Sequence, residues 1–406
     1  MTAPLSEQRV FPLSGTLMHY TWGGDVFLPA LLGLDNREAK PCAEYWLGVH
    51  PNGPSRVHTE RGEQALDAFL RENPAERLGL PVYEQFGALP FLFKVLDVAQ
   101  MLSIQVHPDR QQGLAGFEKE EAAGIPFNAP HRNYKDPNHK PEAMIALSPF
   151  WLLHGFRNEL ALQAQLDETP ELRHLLPLFG QGDYRGLYRT IMELPQQEVN
   201  RRLQPLANRV LPLYREGALN RRQPDFWAAR AVETFCADGN FDRGLFSIYF
   251  FNLVHVPAGQ GIYQAAGLPH AYLEGQCVEV MANSDNVLRA GLTPKHCDVP
   301  ELLRLVRFEA TEPMLLRRRP GTCSEFPTPA AEFALSHCQV AGGERHFINA
   351  ETPTIVLITQ GEGTGIEEGR RFPMQAGSAF YCCPGSGLMI GAASALSVFT
   401  ASVPGV

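Results

Sequence analysis

The sequence predicts a mainly β protein, with two β-sandwiches and an α-helical block inserted into the first. Three observations carry this expectation. Short apolar runs broken by Pro and Gly, such as F-L-F-K-V-L and M-I-A-L, fill the first 155 residues, the pattern of a sandwich or barrel. From about Asn158 to Asn240 the apolar spacing turns helical. β character returns at Leu245 and again after Pro320, where T-I-V-L-I-T-Q-G-E-G-T is an example. The expected segments are 1–156 and 241–318 for the first sandwich, 157–240 for the helices and 319–406 for the second sandwich.

Within the first segment, F-L-F-K-V-L reads as a buried strand interrupted by Lys94. A lysine there needs a partner or a task. Residues 103–109 read S-I-Q-V-H-P-D. Side chains two apart on a strand share a face, so Gln105 and His107 point the same way, and Pro108 ends the pairing. N-Y-K-D-P-N-H-K-P-E at 133–142 leads into another apolar strand, with Lys140 and Glu142 again two apart. In the helical segment, Thr169-Pro170-Glu171 reads as a helix start. Val199, Leu203, Leu206, Val210 and Leu213 line one helix face. Asp225 reads as the cap of a helix carrying Phe226, Trp227 and Phe235. L-F-S-I-Y-F-F-N-L-V-H-V from Leu245 reads as one buried strand. A-G-L-P-H-A-Y-L-E-G at 266–275 turns at Gly-x-Pro and places His270 at a strand start.

A weak repeat supports two related sandwiches. Ala258 to Gly267 and Ala376 to Gly385 both fit A-G-x-x-x-Y-x-x-x-G, the rhythm of a jelly-roll hairpin. Three residues past the first copy stands His270, and three past the second stands Leu388. Only the first copy can hold a metal.

Composition bounds the partners. The 406 residues are 44% hydrophobic and 19% charged, an ordinary globular balance, and the net charge is −9. That argues against nucleic acid and against a basic membrane-binding face. The N-terminus lacks a signal-type segment and no apolar run reaches membrane-spanning length. The expectation is a soluble cytoplasmic protein. Cys42, Cys236, Cys277, Cys297, Cys323 and Cys338 show no metal or disulfide spacing, and Cys382 and Cys383 read as reduced strand residues. A disulfide scaffold is not expected in a chain this long.

Taken singly, each polar fragment reads as a turn histidine, a solvated ion pair or a structural histidine. Together, Gln105, His107, Glu142 and His270 offer two imidazoles, a carboxylate and an amide oxygen. That set suits Zn²⁺ or another borderline divalent ion. One carboxylate leaves the site with net positive charge, so the ion stays a good Lewis acid. A further fragment, S-D-N-V-L-R-A-G-L-T-P-K at 284–295, places Asp285 and Arg289 close in sequence, with Lys295 beyond. Arg289 offers a fixed charged fork for a phosphate or an enediolate.

These fragments, in this order, resemble the type I mannose-6-phosphate isomerase family. The matching stretches are A-E-Y-W-L-G-V-H-P at 43–51, L-P-F-L-F-K-V-L at 89–96 and L-S-I-Q-V-H-P-D at 102–109. They continue with Y-K-D-P-N-H-K-P-E at 134–142, G-L-P-H-A-Y-L-E-G at 267–275 and S-D-N-V-L-R-A-G-L-T-P-K at 284–295. The resemblance runs to about residue 315 and loosely beyond. It implies a cupin-type catalytic jelly roll, a helical domain and a second jelly roll without metal. It implies one zinc per chain held by Gln105, His107, Glu142 and His270, with Arg289 in the active site. It places Ser103, Lys94 and Lys140 near the substrate, and Glu279 and Asp285 as acidic positions. Glu279, Lys140 and Asp285 are the candidates for the proton-shuttling base, and Lys94 and Ser103 for placing the phosphate. Two departures are visible: Tyr45 replaces the usual Leu, and the strand after Glu142 begins A-M-I-A-L.

The implied reaction interconverts mannose 6-phosphate and fructose 6-phosphate through an enediol. The expected partner is a small sugar phosphate, with no nucleic acid, no membrane and a monomeric chain. Two rivals use the same residues. A metal-dependent oxygenase would bind redox-active iron at two His and one Glu. A sugar-binding protein would do without Arg289.

Overall fold

The computed structural model describes residues 8–236, 239–318 and 321–405. Three antiparallel sheets of eleven, eight and four strands dominate it. Among the described residues no helix is long and apolar enough to cross a membrane.

Period-two alternation places the layers. In the strand Phe91–Val98, Phe91, Phe93 and Val95 enter one core, while Leu96 and Val98 enter another. Glu142–Ala146 does the same, with Ala143 and Ile145 on the first face and Met144 and Ala146 on the second. The first face packs against the eight-stranded sheet through Val57, Leu335, Ile355, Leu357 and Phe399. The far side of that sheet packs on the four-stranded one through Val340, Val356, Ile358, Leu388 and Ile390. The eight-stranded sheet joins both ends of the chain, because Val10–Ser14 pairs with Ala379–Cys382. The second face of the eleven-stranded sheet is where polar side chains collect.

Strands Phe150–Phe156 and Phe251–Val256 pair antiparallel. Between them the described chain forms helices from Glu159–Glu168 to Gly244–Phe250. The long helix Gln196–Arg215 buries Val199, Leu203, Leu206 and Val210, as expected from their spacing. These helices share one core with Ile104, Val106, Leu288 and Ala290. They therefore back the short strand pair Gln105–Val106 and Leu288–Arg289, whose residues Gln105 and Arg289 face each other in register.

Four local expectations need correction. The run from Leu245 is not one strand: Gly244–Phe250 is helical and only Phe251–Val256 is extended. All seven residues of that helix are buried, and a continuously apolar run has no period with which to tell the two states apart. Thr169 closes a helix instead of opening one, its hydroxyl donating to Gln165 O at 2.8 Å. Asp225 sits inside the first turn of Pro224–Phe235, where it pairs with Arg209 and accepts from Tyr249 at 2.7 Å. Cys323 and Cys338 form a disulfide. They stand opposite each other on neighbouring antiparallel strands, a juxtaposition set by register that linear spacing does not reveal.

The repeat is real in the backbone. Gly259 and Gly377 have φ of 81° and 85°, and Gly267 and Gly385 have 77° and 74°. All four lie in the left-handed region that glycine reaches without Cβ strain.

A candidate metal centre

Strand register assembles the site. The long strand His270–Ala282 lies between Phe91–Val98 and Glu142–Ala146, with Glu279 opposite both Lys94 and Met144. Trp46 stands opposite Lys94 on the other side, and Glu44 opposite Leu96. At its other end the same strand pairs His270 with Gln105 and with His154. One strand thus gathers residues from four others.

The turn before His270 is tight. Gly267 donates its N–H to His107 O at 2.9 Å, and a Cβ on Gly267 would come within 2.8 Å of the Arg307 side chain. Beyond Pro108, Asp109 caps the helix Arg110–Ala122 in a capping box with Gln112. Both ends of the His107 segment are thereby anchored.

His107, Glu142 and His270 are all buried, and each offers a donor atom within 4.8 Å of the others. His107 Nε2 lies 3.5 Å from Glu142 Oε1, and His270 Nε2 lies 3.4 Å from Glu142 Oε2. His107 Nδ1 is 2.8 Å from Asn286 O, and His270 Nδ1 is 3.0 Å from Leu268 O. A carbonyl oxygen can only accept, so each Nδ1 carries the proton and each Nε2 presents a lone pair. His107 Nε2 has no hydrogen-bond partner among the described residues. Zinc bonds of about 2.0–2.2 Å give tetrahedral donor edges of about 3.3–3.5 Å, and each imidazole stands at that range from one of the two Glu142 oxygens. The donor set fits a zinc-like ion.

Charge supports the same reading. A small cavity of about 70 Å³ is lined by Gln105, Glu142, His270, Lys94, Lys140 and Glu279, with Glu44 and Tyr272 beside them. Three carboxylates against two ammoniums leave a deficit that a dication reverses. Burial alone would raise the Glu142 carboxyl, but its contacts, led by the Lys140 ammonium, hold it well below the usual range. Lys140 Nζ is 3.2 Å from Glu142 Oε1. Burial would lower Lys94, but Glu279 and Glu44 outweigh it and raise it. Lys94 Nζ lies 2.9 Å from Glu279 Oε2 and 3.9 Å from Glu44. Burial pushes His107 down, which keeps the imidazole neutral.

Not every expected residue reaches the cavity. Gln105, Glu142, His270, Lys94, Lys140 and Glu279 line it, and His107 borders it through Glu142. Ser103 is half-buried just before Ile104 and does not line it. Asp285 lies outside it, 3.1 Å from His50 Nε2. Arg289 is half-buried opposite Gln105. Burial lowers the proton affinity of Arg289, and no carboxylate is paired with it among the described residues. Tyr45 does not line the cavity; its side chain enters the core between sheets, where its hydroxyl accepts from Gly15 N at 2.7 Å.

A search of family models matches residues 10–159 to "Phosphomannose isomerase type I, catalytic domain". The mannose-6-phosphate isomerase of Salmonella typhimurium is 38% identical over 378 residues, 91% of this chain and 93% of that protein. The Escherichia coli mannose-6-phosphate isomerase is 37% identical with the same coverage. The chain belongs to the type I phosphomannose isomerase family. A solved family structure, the Salmonella typhimurium enzyme bound to its substrate and a zinc atom, superposes with a TM-score of 0.86 at 34% identity, over 97% of this chain and 99% of that one.

Set in this family frame, several residues carry the site without having been singled out in the sequence. Asn286 is fully buried and its side chain binds Asp136 O at 2.7 Å, Asn138 O at 2.8 Å and Lys135 N at 2.7 Å. It locks two loops together and presents the carbonyl that orients His107. Asp136 accepts from Ser284 at 2.9 Å and from Asp285 N at 2.7 Å. Tyr272 donates to Glu279 Oε1 at 2.7 Å, and Trp46 donates to Glu44. Gln264 stands opposite Glu142, is fully buried, and has neither amide atom partnered among the described residues. The signal for Asn286 and Asp136 was present in the S-D-N and K-D-P fragments. Gln264 had no signal beyond its place in the repeat.

Proposed function

We propose that the chain is a zinc-dependent mannose-6-phosphate isomerase, interconverting mannose 6-phosphate and fructose 6-phosphate. The observation that carries this is the pair of Nδ1–H groups tied to backbone carbonyls, which aims two imidazole lone pairs at the Glu142 carboxylate. In this reading His107, Glu142, His270 and Gln105 hold one zinc ion. The ion would supply Lewis-acid polarisation of the substrate oxygens.

The protein's own groups do the rest. A proton must leave the carbon beside the carbonyl and return at its neighbour, through an enediol. Lys140 and Glu279 line the cavity, and Asp285 does not. Glu279 accepts from Lys94 and Tyr272, one bond to each oxygen, and as a carboxylate keeps lone pairs free to take the proton. Lys140, an ammonium paired with Glu142, has no lone pair to accept a proton and acts as a proton donor. Arg289, with no carboxylate partner, supplies positive charge to the developing enediolate. Ser103 and Lys94 place the phosphate, Lys94 exchanging its longer contact with Glu44 for a phosphate oxygen. Remote phosphate binding orients the sugar.

The finer architecture belongs to the same proposal: a cupin-type catalytic jelly roll over 1–156 and 241–318, a helical domain over 157–240, and a second jelly roll over 319–406 that has no metal ligand at the position matching His270, where Leu388 stands. So does a cytoplasmic, monomeric protein. The test is turnover of mannose 6-phosphate with metal content measured on the same sample. Activity that falls on chelation and returns with zinc supports the proposal. Binding of the sugar phosphate without turnover would replace it with the sugar-binding reading, and oxygen consumption with ferrous iron would replace it with the oxygenase.

A further inference from the structure

A second group of donors comes together where the two C-terminal sheets meet. Cys323 and Cys338 are direct register partners on Cys323–Phe326 and Ala334–Val340, joined as a disulfide. His346, on Arg345–Ala350 of the four-stranded sheet, brings Nε2 to 3.5 Å from both sulfurs. These three and the His107, Glu142, His270 group are the clusters of such donors close enough for one ion among the described residues, and they share no member.

We propose that Cys323, Cys338 and His346 form a redox-gated site for a thiolate-preferring d¹⁰ ion, Zn²⁺ first. The oxidised pair is the closed state. Two molecules of a thiol reductant, or one dithiol, supply two electrons and two protons. The S–S bond breaks, two cysteine thiols form, and the reductant leaves as its own disulfide. The ion then displaces both thiol protons and is held by two thiolates and His346 Nε2, with water in the fourth position.

Geometry supports the open state. Zinc bonds of about 2.3 Å to sulfur and 2.0–2.1 Å to nitrogen give a tetrahedral S···N edge of about 3.5 Å, the separation already present. The sulfurs must part to about 3.8 Å on the same geometry, within the span of side chains opposed on neighbouring strands. Access is graded: Cys323 is exposed, His346 half-buried and Cys338 buried. Cys338 packs with Val340, Ile348 and Ala350 between the sheets, which fixes one ligand while the other stays open to reductant.

The test uses the full chain and Co²⁺ as probe. A thiolate–cobalt pair gives a near-ultraviolet charge-transfer band that a nitrogen- and oxygen-donor site cannot produce. Reduction should raise the free thiol count by two. The reduced protein should then give the band at one equivalent, and the disulfide form should give none. Cys323→Ser and Cys338→Ser should each abolish it, and His346→Ala should weaken binding at least about tenfold. Three results would overturn the proposal: no band in reduced wild-type protein, no gain of thiols on reduction, or a band that persists in Cys323→Ser. The wild-type titration decides even where a variant fails to fold.

Discussion

The two copies of A-G-x-x-x-Y-x-x-x-G give the molecule an internal control. Their four glycines share a positive φ of similar size, and both copies deliver the chain into a strand, Gly261–Gln264 in one and Ala379–Cys382 in the other. The interiors then diverge. The first copy leads to His270, beside Glu142 in a cavity with Lys94, Lys140 and Glu279. The second leads to Leu388, buried among Ile348, Met374 and Ile390. One backbone device serves a charged pocket and an apolar core, so chemistry resides in the side chains that follow the turn and not in the turn.

The largest effect that sharpens this contrast is His270→Leu, which gives the first copy the second copy's residue. It removes one donor and leaves Glu142 short of a partner. Metal should be lost, and turnover should fall by at least about a thousandfold, the scale of several kcal/mol of Lewis-acid stabilisation. Near-normal turnover in a metal-free variant would break the contrast.

Next comes Lys94→Ala, which leaves Glu279 and Glu44 buried without their shared cation. Removing one partner of a buried ion pair costs about 3–5 kcal/mol. Denaturant unfolding should show that loss, and Lys94→Met with Glu279→Gln should recover most of it. An unchanged midpoint would mean that solvent already screens the pair.

Leu388→Ala should cost about 2–4 kcal/mol by opening a cavity between the C-terminal sheets. Metal content and turnover should not change. A loss of metal would mean that the two copies are energetically coupled.

The smallest effect concerns how the helices are tied to the eleven-stranded sheet. Glu274, on the strand that carries His270, pairs with Arg221 at 2.7 Å and with Arg230. Burial alone would raise its carboxyl, but the two arginines outweigh it and lower it. A depressed carboxyl binds fewer protons when folded. Its stabilisation is therefore present above the unfolded value of about 4.3 and is lost as pH falls through the lower folded value. Glu274→Gln should cost under about 1 kcal/mol at neutral pH, since the pair is partly exposed. The gap to wild type should close in acid. A gap that widened in acid would contradict the assignment.

Much of this was legible in the sequence where pattern and chemistry coincide. Gln105 with His107, and Lys140 with Glu142, are pairs two apart on extended chain, and both reach the centre. The strand Phe91–Val98 and the helix Gln196–Arg215 follow from their apolar periods. What was not legible depends on register and tertiary burial. Cys323 meets Cys338 because two strands align, 15 residues apart in sequence. Gly244–Phe250 is apolar and buried on every side, so its sequence carries no period that separates helix from strand. The partners of Lys94, Glu44 and Glu279, lie on different strands, so the fragment F-L-F-K-V-L says that a partner is needed but not which one. Asn286 was visible in its motif, but its duty as a loop lock and His107 orienter needs three dimensions.

The central claim is that one divalent ion sits among four side chains distant in sequence. It is tested most directly by anomalous diffraction at the zinc edge from crystals of active enzyme. The account predicts a peak bonded to Gln105, His107, Glu142 and His270 at about 2.0–2.2 Å. A turning-over enzyme whose crystals show no anomalous peak at that position would contradict it.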